Sequence, residues 1–192
     1  MAWVLMIAAV LTAAGVAAGA PAPQAGAEGI IAAVEAGAFV VTTATGGSVR
    51  IVSNADTRII RRQQVRLEDI KTNDFVAVTA RREPDGGLTA VSINIFPPEF
   101  KGRVREAQFV MDTGNIMTNA TVFQNVRRVD GRTLYLKLPD GATVITVPRE
   151  ATVFRLAVIA MGDLRPGMRV QVRGAGNPDG SIVATSVTVE VR

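Results

Sequence analysis

"EPDGGLTAVSINI", from Glu83 to Ile95, and "NPDGSIVATSVTV", from Asn177 to Val189, spell one pattern twice. Pro84 meets Pro178, Asp85 meets Asp179, Gly86 meets Gly180, Ala90 meets Ala184 and Ser92 meets Ser186. A Pro-Asp-Gly turn followed by alternating apolar and polar residues reads as a hairpin turn with a half-buried closing strand. Its recurrence makes the chain a duplication.

Working upstream, Asp69 meets Asp163 at the same spacing, inside "LEDIKTNDFVAV" and "MGDLRPGMRVQV". One gap further up, Val49 falls on Val144 and Thr57 on Thr152, with "IIAAVEAGAFVV" against "VRRVDGRTLYL". The match covers most of residues 30–95 and 126–189. Each unit is of about 70 residues, the size at which a small domain folds alone.

Each unit reads as five short strands. In the second they are Val122–Val129, Thr133–Leu138, Thr143–Val147, Met168–Gly174 and Ser181–Val191. Leu134, Leu136 and Leu138 alternate with Thr133, Tyr135 and Lys137, the period of an antiparallel strand with one buried face. "AMGDLRPGM" and its copy "VRLEDIKTND" are too short for a full helix and suit a single helical turn. A three-strand meander, a helical plug and a hairpin is the order of a Greek-key barrel of OB type. The predicted fold is therefore all-β, with two tandem OB-like barrels behind a hydrophobic leader; SH3-like barrels are the alternative. The predicted boundaries are 1–27 for a signal peptide or membrane anchor, 28–97 for the first barrel, 98–117 for an apolar strap, and 118–192 for the second barrel.

Composition narrows the chemistry. The chain has 192 residues, 48% of them apolar and 5% aromatic, so the cores are expected to be aliphatic. It contains no Cys and no His. Disulfides, thiolate nucleophiles, Cys/His zinc sites and His general bases are excluded. Net charge is +4, and only Lys71, Lys101 and Lys137 of the 21 basic residues are not Arg.

The first 27 residues, "MAWVLMIAAVLTAAGVAAGAPAPQAGA", carry no charged side chain. The apolar stretch Trp3 to Leu11 precedes small-residue sites at Ala18-Gly19-Ala20 and Ala25-Gly26-Ala27, the plan of a cleaved secretory signal. An uncleaved anchor is the alternative, and in that case alone the chain would meet a membrane. Either way the expected location is the periplasm or cell envelope.

The frame L-x-D-I/L followed by V-x-V and then P-D-G…A-x-x-I/V resembles a domain family of unknown function common in bacterial exported proteins. "INIFPPE", "MTNATV", "GRTLYLK" and "VPREATV" resemble a two-domain proteobacterial subgroup of it. The resemblance covers nearly all of residues 29–190. It implies export, tandem OB-like barrels and no known catalytic activity, and it assigns no functional residue.

Candidate chemistry is sparse. Asp85, Asp140 and Asp179 offer one acid per loop, whereas calcium wants six to eight oxygens, so they read as turn residues. Glu68, Asp69 and Asp74 form the densest acidic group, and Asp69 with its copy Asp163 reads as a cap. Candidate ligand-binding residues are Arg127, Arg128, Tyr135, Lys137, Arg169 and Arg173 in the second unit, with Phe75, Arg81 and Arg82 in the first. They would form Arg-rich barrel faces, with Tyr135 and Phe75 as stacking platforms.

The expected function is a non-catalytic exported binding or scaffold module. It would hold an envelope protein partner through barrel contacts and need no cofactor or metal. The alternative is an anionic glycan or lipid headgroup. Nucleic acid is disfavoured by export and by the scarcity of aromatics. A carboxylate-based enzyme ranks last.

Overall fold

The computed structural model describes residues 23–128 and 131–191. The predicted leader lies outside the described residues up to residue 22. Thirteen strands form among the described residues, joined by three single 3-10 turns, so the fold is all-β. In chain order they begin with β1 (Gln24–Glu35), β2 (Ala38–Thr43), β3 (Ser48–Val52), β4 (Arg58–Val65), β5 (Phe75–Arg82) and β6 (Leu88–Ile95). The remainder are β7 (Ala107–Val110), β8 (Ile116–Arg128), β9 (Gly131–Leu138), β10 (Gly141–Pro148), β11 (Thr152–Val158), β12 (Arg169–Gly176) and β13 (Ile182–Val191).

Strand pairing closes two barrels. β1 pairs with β2, β2 with β3, β3 with β13, β13 with β12, and β12 returns to β1. We call this the terminal barrel. The central barrel runs β8–β9–β10–β6–β5 and back to β8. In both, the third strand meets the last in parallel and the other pairs are antiparallel. This is the OB pairing scheme.

The repeats and the barrels are not the same units. The terminal barrel takes its meander from the first repeat and its closing hairpin from the second; the central barrel does the reverse. The cores show the same exchange. One cluster unites Ile31, Phe39, Val41 and Ile51 with Val170, Val172, Val187 and Val189. The other unites Val76, Val78, Ile93 and Ile95 with Val122, Leu134, Leu136 and Ile145. The expectation of one closed barrel within 28–97 and another within 118–192 is corrected accordingly.

The crossing is made by β4 and β11, which the sequence did not signal as strands. "RIIRRQQV" hides its alternation under Arg and Gln. β4 and β11 pair antiparallel with each other, and each runs parallel to a closing strand, β4 to β13 and β11 to β6. A single strand path therefore connects both barrels. Arg62 lies opposite Leu156, its own counterpart in the other repeat, so an approximate two-fold axis passes between them.

Pairing also fixes the repeat register. Ile51 and Ile145, each fully buried, occupy equivalent places, as do Ile59 and Val153. The spacing that relates Asp85 to Asp179 thus persists through β3 and β4, and Val49 is the counterpart of Thr143 rather than Val144. The gap lies earlier, between the second and third strands, since Phe39 matches Leu134.

One boundary shifts. β1 begins at Gln24, and Ala27 is buried against Val172 in the terminal barrel, so residues 24–27 belong to the fold rather than to a leader. A cut after Ala27 would split β1, whereas one after Ala20 spares it. The strap packs at its start, whereas Phe109 and Val110 further along stay 49% and 69% exposed. Phe75, Phe96 and Phe100 stack in series at 5.3 and 5.5 Å, and the strap ends in β7, which pairs with the start of β8.

Candidate functional site

The outer face of the central barrel carries an apolar trio. Along β9, Leu134 and Leu136 point into the core, which turns Tyr135 outward. Tyr135 lies across from Val144 on β10. On its other side β8 bulges between Val122 and Gln124 and presents Phe123. The Phe123 and Tyr135 rings meet edge to face at 5.9 Å. Phe123 and Val144 remain 45% and 49% exposed, large values for apolar side chains set side by side. Lys137 stands exposed two residues along β9 from Tyr135.

The terminal barrel lacks this surface. Equivalent positions hold Ala32, Val40 and Arg50, and Arg50 is engaged by Glu35 at 2.5 Å. The asymmetry matters because the two barrels are otherwise built to one plan. Phe123 and Val144 escaped the sequence reading. Phe123 sits at a bulge that no local pattern marks, and Val144 resembles any strand valine.

The predicted ligand-binding residues do not assemble into one face. Tyr135 and Lys137 lie on the central barrel, as do Arg81 and Arg82 at the end of β5. Arg169 and Arg173 lie exposed on β12, which the exchange carries to the terminal barrel. Arg169 there flanks a depression of about 430 Å³ with Glu28, Gly29 and Thr42. Arg81 is paired with Glu83 at 3.0 Å. Side chains of Arg127 and Arg128 lie outside the described residues. Phe75 cannot be an outer-face platform: it is 2% exposed and covered by Phe96. It begins a strand that the strap caps, which a local reading of "NDFVAV" does not disclose.

The acids are occupied with backbone geometry. Asp69 Oδ2 accepts the Arg66 N–H at 2.8 Å, and Asp163 Oδ2 accepts the Ala160 N–H at 2.9 Å. Asp74 Oδ2 accepts the Lys71 N–H at 2.8 Å. Asp85 Oδ1 accepts the Gly87 N–H at 2.8 Å, while Asp179 Oδ1 accepts both the N–H and the hydroxyl of Ser181. Apart from the Ser181 hydroxyl, the donors are backbone N–H groups, and these bonds close tight turns. Among the described residues no group of three or more His, Cys, Asp or Glu is placed to hold a metal ion. Among them, too, no helix is long and apolar enough to cross a membrane.

No curated protein and no solved structure matches this chain. A family model does match, over residues 28–94 and again over 125–188. Each matched segment runs from the first strand of a repeat to its closing strand, so it follows the sequence repeat and not the packed barrel. The chain belongs to the family described as Domain of unknown function (DUF5666), and carries that domain twice.

Proposed function

We propose that this protein is a non-catalytic, exported binding module that docks a partner protein on the outer face of its central barrel. One observation carries the reading: Phe123, Tyr135 and Val144 form an exposed aromatic and aliphatic cluster that the terminal barrel replaces with Ala32, Val40 and Arg50. Aromatic anchors ringed by smaller residues are the usual energetic centres of protein interfaces. In the OB plan this face, over the second and third strands, is the one that receives ligands.

Export is supported by the uncharged N-terminal stretch with its small-residue cleavage sites. We place the protein in the periplasm or cell envelope, with processing after Ala20. The intact mass of protein recovered from the envelope should then begin at Pro21; a start at Glu28 would contradict the role given to β1.

The docking face is tested by photo-crosslinking in the native host, with the reactive residue placed at Val144 or at Arg50. A discrete adduct from position 144, absent from position 50 and abolished by Tyr135→Ala, is the expected result. Equal labelling from both barrels, or none from 144, would remove the proposal.

A further inference from the structure

A second site lies at the other end of the central barrel, away from the outer face. There the end of β4, the turn that follows it, the start of β9 and the β10–β11 turn surround a cleft of about 480 Å³. Three arginines line it: Arg66, Arg132 and Arg149. Glu68 is the one acid among the described lining residues.

Arg132 is the unusual member. Its side chain is only 14% exposed. Its guanidinium meets Asn125 Oδ1 at 3.5 Å and Glu68 Oε1 at 3.7 Å, both long contacts. Its Nε is buried without a hydrogen-bond partner. A desolvated guanidinium with weak pairing is costly to keep. Its planar donor set suits an oxyanion, which can accept two parallel bonds. Glu68 is largely exposed, so its long contact with Arg132 is weakened by solvent.

The repeat supplies an internal control. Arg66 corresponds to Ala160, because both begin a 3-10 turn whose third residue returns an Asp to them. Arg132 corresponds to Gly37, and Arg149 to Ala55, by the strand registers on either side. Glu68 corresponds to Gly162. Every charged residue of the cleft has a small uncharged counterpart in the terminal barrel. The three arginines, one from the first repeat and two from the second, converge on one barrel end.

We propose that this cleft is a binding site for a phosphate monoester, with Arg132 at its floor and Arg66 and Arg149 at its rim. A monoester presents three acceptor oxygens on one phosphorus, so it can accept from guanidinium groups on more than one side at once. The volume admits a phosphate with a small substituent. The chemistry is shared by soluble metabolite phosphates and by monoester lipid headgroups.

The test uses the full chain and three probes: inorganic phosphate, glycerol phosphate, and vesicles of phosphatidylcholine with or without phosphatidate. Calorimetry at constant ionic strength, with chloride as the balancing anion, should give saturable one-to-one binding of phosphate or glycerol phosphate and a matching rise in Tm. Arg132→Gln should weaken binding at least tenfold. Because Arg132 is buried, the rim variant Arg66→Gln/Arg149→Gln provides a second measurement: its unliganded fold, checked by circular dichroism, should be retained while affinity falls by the same order. Sedimentation with phosphatidate vesicles in addition to glycerol phosphate binding would identify a lipid source; soluble binding alone would identify a metabolite. Equal Tm shifts from phosphate and chloride, or wild-type affinity in the rim variant, would overturn the site.

Discussion

Phe75 and Asp179 show what single positions contribute. Phe75 starts β5 and lies under Phe96, with the backbone N–H of Phe96 donating to its carbonyl at 2.9 Å. Phe75→Ala should destabilise the fold by about 3–5 kcal/mol, as large-to-small changes in aromatic cores do. Urea denaturation measures it, and a loss under 1 kcal/mol would mean the stack is ornamental. Asp179 titrates below its ordinary value of 3.8, chiefly because the Ser181 hydroxyl and then the Ser181 N–H donate to its carboxylate. A carboxyl with a lower pKa in the folded than in the unfolded chain favours folding when ionised. Its contribution is complete above the ordinary value and is lost as pH falls below 3.8 through the folded value. Asp179→Asn should therefore flatten the pH dependence of Tm below pH 4 and leave its slope above pH 5 unchanged, as read from melting curves across that range. Turn chemistry of this kind was legible at once, because Pro-Asp-Gly dictates its own geometry. The cleft arginines were not. Arg66, Arg132 and Arg149 lie far apart in the chain and meet only when β9 pairs with β10 and β4 with β11.

Elements divide in the same way. The strands of each meander and hairpin are written in period-two alternation and bounded by Gly and Pro turns, so their existence and inward faces could be read directly. β4 and β11 could not. Their partners are each other and the closing strands, all distant in sequence, and these contacts hold Arg and Gln in extended conformation. Eight residues of β4 span about 26 Å at the usual rise per strand residue. That is enough to carry the chain from the meander of one barrel to the hairpin of the other. The exchange itself leaves no local mark, because either hairpin presents aliphatic residues of similar shape at the same places. Cutting the chain makes it visible. The fragment 23–97 holds a meander and a hairpin belonging to different barrels. Alone it should fail to give a folded monomer, and mixing with 98–191 should restore the circular dichroism of the whole chain. A folded, monomeric 23–97 in light scattering would show that the hairpin can turn back on its own meander.

At the scale of the molecule, interleaving removes the independence that tandem domains usually have. Phe39 anchors the terminal core and Leu134, its counterpart, the central one. In separate domains Phe39→Ala and Leu134→Ala would each shift one of two transitions. Here each repeat supplies strands to both cores, so both variants should lower the midpoint of one shared transition. Calorimetry resolving two unfolding events, with each variant moving only one, would contradict this. Fold class and duplication were available from the sequence because both are local or periodic. Which hairpin closes which barrel is a global choice, set by the path of β4 and β11.

The strap between β6 and β8 then acquires a second meaning. Two copies of a single-repeat chain could trade hairpins and build much the same body, but only at concentrations that favour association. A covalent bridge of twenty residues, from Phe96 to Asn115, holds the two halves at an effective concentration set by its own reach, so assembly becomes insensitive to dilution. It also makes the pairing obligatorily unlike with unlike. A homodimer would carry two identical clefts; the fused chain is free to hold arginines in one and to leave the other as alanine and glycine.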